Sequence, residues 1–177
     1  MKIFGLVGWS GSGKTTLMTG LLPELIGRGL SVSTMKHTHH AFDMDRRGKD
    51  SYEHRAAGAT EVLVTSSARW ALLHELRDNP EPDIDELLGR MAPVDLVLIE
   101  GFKTYPHNKL EVFRRATGKS ILCSEDPTIV AVASDEPLPG LEAPVLDLDD
   151  IPAIADFIVG HCGLRGRPSS PGDGGGR

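Results

Sequence analysis

Little in this chain invites a membrane, a metal finger or a nucleic acid. Its 177 residues include only two cysteines, Cys123 and Cys162. Their spacing matches no metal-ligand pattern, and with no export signal they read as reduced thiols rather than a disulfide. No apolar run is long enough to span a bilayer, and residues 1–7 lack a signal-peptide pattern, so a cytoplasmic location is expected. Basic residues are outnumbered, 19 Lys and Arg against 25 Asp and Glu, for a formal charge of −6. That is the wrong sign for broad nucleic-acid binding. No internal repeat is visible. An apolar content of 40% and a charged content of 25% fit a soluble globular protein. The length suits one domain with a full core.

What is present begins at once. The stretch "GLVGWSGSGKTTL", Gly5 to Leu17, contains G-x-x-x-x-G-K-[ST] in Gly8, Gly13, Lys14 and Thr15, with Gly11 between. Residues without a Cβ let such a loop turn its N–H groups inward around phosphate oxygens. A following helix adds its unsatisfied N–H groups and the positive end of its dipole. In this pattern Lys14 bridges the β- and γ-phosphates and the Thr15 hydroxyl ligates Mg²⁺. The confirming context is legible, with the apolar run "KIFGLVG" before the loop and Leu17, Leu21, Leu22 and Leu25 at helical spacing after it.

Strand-like runs recur at "SVSTMKH", "EVLVTSS", "WALLHEL", "DLVLIEG", "LEVFR", "IVAVASD" and "PVLDL". Helical patterns occupy residues 15–28, about 50–57, 83–91 and 150–161. This alternation predicts an α/β fold with a mostly parallel sheet flanked by helices. The short polar break between "EVLVTSS" and "RWALLHEL" predicts an antiparallel hairpin. Residues 1–164 are therefore expected to form a P-loop nucleotide-binding domain. Residues 165–177, rich in Pro, Gly and Ser with no aliphatic residue, are expected to be a disordered tail.

Beyond the loop, Glu100 stands at the carboxyl end of the apolar run Leu96 to Ile99, where ligands of open α/β sheets collect. It is the candidate for a water-mediated magnesium contact, whereas Asp95, at the other end, reads as a solvated strand start. After the second strand lies "MKHTHHAFDMDRRGKDSYEHRAAGA". Lys36 ends the strand, Asp43 and Asp45 are candidates to approach Mg²⁺ or position a water, and Arg46, Arg47, Lys49 and Arg55 are candidates for phosphate oxygens. His37, His39 and His40 suggest zinc, but no cysteine or second His pair has finger spacing. For base recognition, "NKLE" at Asn108 to Glu111 resembles the guanine-reading N-K-x-D but enters a strand instead of following one. Asp135, just past "IVAVAS", is better placed, with a turn residue as the alternative. Trp9 either covers or flanks the nucleotide. Trp70, Leu72 and Leu76 suggest strand core or a dimer surface.

Together "GWSGSGKTTL", "KHTHHAFDMDRRGKDSYEHRAAGA", "DLVLIEGFK" and "KLEVFRRA" resemble the molybdopterin-guanine dinucleotide biosynthesis adaptor (MobB) family, from the first residues to about residue 160. The resemblance implies a P-loop GTPase-like fold, GTP with Mg²⁺, and at most slow hydrolysis. It also implies a homodimer and association with the molybdenum cofactor guanylyltransferase that attaches GMP to molybdopterin, with molybdopterin itself a further candidate ligand. Nucleotide contacts then fall on Gly11, Ser12, Gly13, Lys14, Thr15 and Thr16, with Glu100 near the metal. Fold analogy to dethiobiotin synthetase-like proteins adds Lys36 and Asp45. Catalysis would rest on Lys14 and Asp45, metal binding on Thr15, Asp45 and Glu100, and base reading on Asp135. The alternative reading is an ATP-dependent small-molecule kinase or ligase using the same loop.

Overall fold

The computed structural model describes residues 1–38 and 42–165. In chain order the elements are β1 (Lys2–Val7), α1 (Lys14–Gly27), β2 (Val32–Lys36), α2 (Asp50–Ala56), β3 (Glu61–Thr65), β4 (Trp70–His74), α3 (Ile84–Gly89), β5 (Leu96–Glu100), β6 (Lys109–Phe113), β7 (Ile129–Ser134), β8 (Val145–Asp147) and α4 (Ile151–His161). A 3-10 turn occupies Arg115–Thr117. His39, His40 and the expected tail from Gly166 onward lie outside the described residues. Within residues 1–165 the chain forms two compact units. One is Met1–His37 with the described residues from Ala92 onward, and the other is Thr38–Met91.

The first unit is a six-stranded sheet in the order β2-β5-β1-β6-β7-β8, and every pairing in it is parallel. The reason is visible in β5, where Leu96, Val97, Leu98 and Ile99 are all fully buried. A strand apolar on both faces is stable only when both faces are covered, the condition of a parallel sheet. Alternation then sets which side chains face α1 and α4. Phe4 and Leu6, Leu96 and Leu98, Leu110 and Val112, and Ala131 and Ala133 join Leu17, Leu21 and Leu25 of α1 and Ile154 and Ile158 of α4 in one core. Arg28 ties the two helices, donating to Glu24 at 2.9 Å and to Asp156 at 2.6 Å. Asp95 is more than the solvated strand start expected of it. Its carboxylate accepts from the Ser31 amide at 2.8 Å and hydroxyl at 2.6 Å, which pins the starts of β2 and β5 in register.

The second unit holds α2, α3 and the predicted antiparallel hairpin β3-β4. Among the described residues, Val62 and Ile84 are its buried apolar side chains. On one hairpin face Leu63 stands opposite Leu72, and Thr65 opposite Trp70. Leu63, Leu72 and Trp70 are exposed in the single chain, so they do not form strand core there.

Candidate functional site

The site is built where β1 hands the chain to α1. Gly8 takes φ 144° and Gly13 φ 99°, values an L side chain resists. A Cβ at Gly8 would also lie 2.4 Å from the Val112 carbonyl oxygen. Gly13 is the N-cap of α1 and offers no side-chain acceptor, and the first turn contains no acid. The amides that open this helix thus lack the anionic or oxygen partner that an ordinary cap supplies. Ser12 lies folded inside the loop, 1% exposed, and its Oγ has no hydrogen-bond partner among the described residues. Buried hydroxyls are rarely left so.

Lys14 curls back over the loop and donates to the carbonyl oxygens of Gly8 and Trp9, both at 2.9 Å. An ammonium has three donors, and these two bonds hold it against the loop backbone. Its pKa is lowered chiefly by burial; Glu100 opposes this, and Lys103 and Lys36 add to it. Glu100, half-buried at the end of β5, is 3.4 Å from the Lys36 ammonium at the end of β2. The sheet edge therefore gathers Lys14, Lys36, Glu100 and Lys103 as the sequence suggested for the first three. Thr15 and Thr16 are exposed in the first turn, as is Gly11 in the loop. Past Glu100 the backbone turns sharply, with Gly101 at φ 98° and Phe102 at φ 47°, and the Phe102 ring packs on His37 with centroids 4.6 Å apart.

Trp9 lies inside the loop. Its indole N–H donates to the Ser120 carbonyl at 2.8 Å, and the Lys103 and Lys119 ammonium groups stand 5.0 and 5.6 Å from its ring centre. Asp135, just past β7, accepts from Arg114 Nη1 at 2.8 Å. It also lines a cavity of about 510 Å³ with Ser134, Pro137, Leu138, Val145 and Asp147.

Asp45 belongs to the second unit. Its carboxylate accepts from the Arg46 amide and the Ser51 hydroxyl, both at 2.9 Å, and from Arg55 at 3.4 Å. Arg55, considered above for phosphate, is also held by Asp43 at 2.9 Å and Glu75 at 2.6 Å. Bonds from Asp43 first, then Glu75, raise its already high pKa, and the same pairing holds the Asp43 carboxyl below its ordinary value. Both residues are thus committed within their own unit.

The "NKLE" segment is structural. Lys109 is 1% exposed, and its ammonium donates to Tyr105 O at 2.8 Å and Thr128 Oγ1 at 2.5 Å, with Asp126 at 3.5 Å. Glu111, also buried, accepts from the Leu122 amide at 2.8 Å and the Cys123 amide at 2.9 Å. Gly5 makes this possible, because a Cβ there would stand 2.4 Å from His107 Nε2 and 2.9 Å from Lys109 Cγ. Sequence reasoning passed over Gly5, Lys103 and Arg114. The available signal was charge inside a central strand, in Lys109 and Glu111, which requires partners nearby.

The sequence profile described as "Molybdopterin guanine dinucleotide synthesis protein B" matches residues 3–135. The chain is 44% identical over 162 residues to the molybdopterin-guanine dinucleotide biosynthesis adapter protein of Escherichia coli K12, covering 90% of this chain and 92% of that one. It is 41% identical over 161 residues to the protein of the same description from Haemophilus influenzae, covering 89% and 88%. A crystal structure of molybdopterin-guanine biosynthesis protein B superposes with a TM-score of 0.72 at 28% identity, over 90% of this chain and 99% of the other. By profile, by sequence and by fold, the chain belongs to the molybdopterin guanine dinucleotide synthesis protein B family.

Proposed function

We propose that the chain is a GTP-binding adaptor of molybdenum cofactor biosynthesis, cytoplasmic and homodimeric, that assists the guanylyltransferase converting molybdopterin to its guanine dinucleotide. The observation that carries the nucleotide reading is the uncapped start of α1, with Gly13 as N-cap and Lys14 folded onto the loop carbonyls. Such a loop presents N–H groups, a dipole and a cation to one anion. Gly11, Ser12, Gly13, Lys14, Thr15 and Thr16 hold the phosphates in this reading, and Lys36 adds charge beside them.

Mg²⁺ fits the donors at this edge. Thr15 brings an exposed hydroxyl and Glu100 a half-buried carboxylate, hard oxygen ligands of the kind that share this ion with substrate phosphates. When bound it neutralises phosphate charge. Lys14 places its ammonium against the loop, where it meets the β- and γ-phosphates. Hydrolysis is slow at most in this reading, because Asp45, the acid named for orienting water, already carries Arg55 and Ser51. Asp135 reads guanine by accepting from N1–H and the 2-amino group. The exposed Leu63, Leu72 and Trp70 of the hairpin support the homodimer, and a sedimentation mass of one chain alone would remove it. In this reading molybdopterin is a second candidate ligand, beside the transferase.

Equilibrium binding of GTP and ATP with Mg²⁺, at fixed salt, tests this function. A GTP preference of about a hundredfold is expected, roughly 2.7 kcal/mol, and Asp135→Ala should erode it. Equal binding, or preference for ATP, would transfer the site to an ATP-dependent small-molecule kinase or ligase.

A further inference from the structure

One guanidinium touches both halves of the proposed nucleotide site. Arg114 leaves the end of β6, and its Nη1 is 2.8 Å from Asp135 Oδ2. The same side chain lies against the N-cap of α1, with Nε 3.5 Å and Nη2 3.9 Å from the Cβ that Gly13 lacks. With Gly13, Thr16 and Asp149 it lines a cavity of about 260 Å³, whereas Asp135 lines the cavity of about 510 Å³. We propose that Arg114 is a shared cation, which exchanges Asp135 for nucleotide phosphate and so releases the base-reading carboxylate only when the loop is filled. This rests on the reading of the loop as a triphosphate site.

Two contacts and one general preference favour the exchange. The ion pair is partly exposed, with side chains at 34% and 30%, and such pairs are weak in water. Phosphate oxygens beside the helix N-terminus offer a guanidinium more charge and a better two-pronged geometry. The neighbouring pair Arg115–Glu136 joins the same two strand ends, so Arg114 can leave without parting β6 from β7. The buried, unpartnered Ser12 Oγ is an independent mark that the loop is built around a ligand. A carboxylate bound to Arg114 is a poorer acceptor for guanine, so phosphate and base recognition reinforce each other through this one residue.

The probe is inorganic tripolyphosphate with Mg²⁺, which has phosphates and no base, titrated calorimetrically into the full chain. Freed of its partner, Arg114 should bind it better, so Asp135→Asn is expected to tighten binding about threefold. Arg114→Gln should weaken it roughly tenfold, and the double variant should match Arg114→Gln. Asp135→Ser repeats the test should the asparagine variant fold poorly, since loss of structure cannot raise affinity. Unchanged or weaker binding in both Asp135 variants, or a double variant tighter than Arg114→Gln, overturns the exchange. Failure of the phosphate-loop reading looks different: no variant binds tripolyphosphate, and Lys14→Ala leaves GTP affinity untouched. That pattern also removes the proposal.

Discussion

Two lysines stand in motif-like settings in the same unit, and their surroundings are opposite. Lys109, in "NKLE", is buried and held by a carbonyl, a hydroxyl and a carboxylate. Lys14, in "GSGKTT", rests on two loop carbonyls beside an uncapped helix start. The first ammonium is finished by the fold, and the second, in the function proposed above, trades its carbonyl contacts for a phosphate. A buried charge with matched partners holds structure together, and truncating it is destabilising. A cation leaning on two backbone oxygens beside an uncapped helix start is the kind the proposed reading needs. Lys109 is buried and Lys14 only partly so, but their partners separate them more sharply.

The contrast is sharpest under substitution. Lys109→Ala takes a buried ammonium away from the Tyr105 carbonyl, Thr128 and Asp126, which keep the His107 amide and one another as partners. With the cavity it leaves, the substitution is expected to remove about 3 kcal/mol of folding stability, read from urea unfolding. Lys14→Ala should do the reverse. Affinity for GTP with Mg²⁺ should fall about a hundredfold, roughly 2.7 kcal/mol, while the unfolding curve barely moves. If both variants lost stability equally and neither lost binding, the distinction between the lysines would collapse.

A smaller effect involves the neighbour of Lys109. His107 is buried, and burial, then the Lys109 charge, lowers its pKa below the ordinary 6.5. The folded state therefore resists a proton that the unfolded chain accepts. The stability this represents is intact above pH 6.5 and is lost as pH falls from there through the lowered folded value. His107→Leu should flatten that part of the pH dependence in urea titrations. A slope identical to that of the parent protein would show that His107 does not carry it.

Much of this was legible in the chain. Every strand-like run proved a strand and each helical pattern a helix, because apolar runs bounded by turn residues have few other uses in so short a protein. The hairpin was announced by its brief polar break. Lys14, Lys36 and Glu100 meet at one sheet edge because each follows or ends a parallel strand. What escaped was pairing. Nothing local to Arg114 says that it meets Asp135, 21 residues away, since that contact depends on β6 and β7 lying side by side. Arg55 was equally opaque, for its three carboxylate partners come from loops on both sides of it. Spacing along a chain shows elements; it does not show which charges cancel across them.

Gly5 is hemmed in from outside its own strand. It belongs to the strand rather than the loop, and no ligand contact is ascribed to it. Even so, a methyl group there would collide with the His107 ring and the Lys109 stem. What it can become is therefore set by His107, just before β6, and by Lys109 at its start. A larger residue at position 5 is admissible only alongside smaller ones at 107 and 109. Two glycines three residues apart thus answer to different masters: Gly8 to the turn of its own backbone, Gly5 to the bulk of its neighbours.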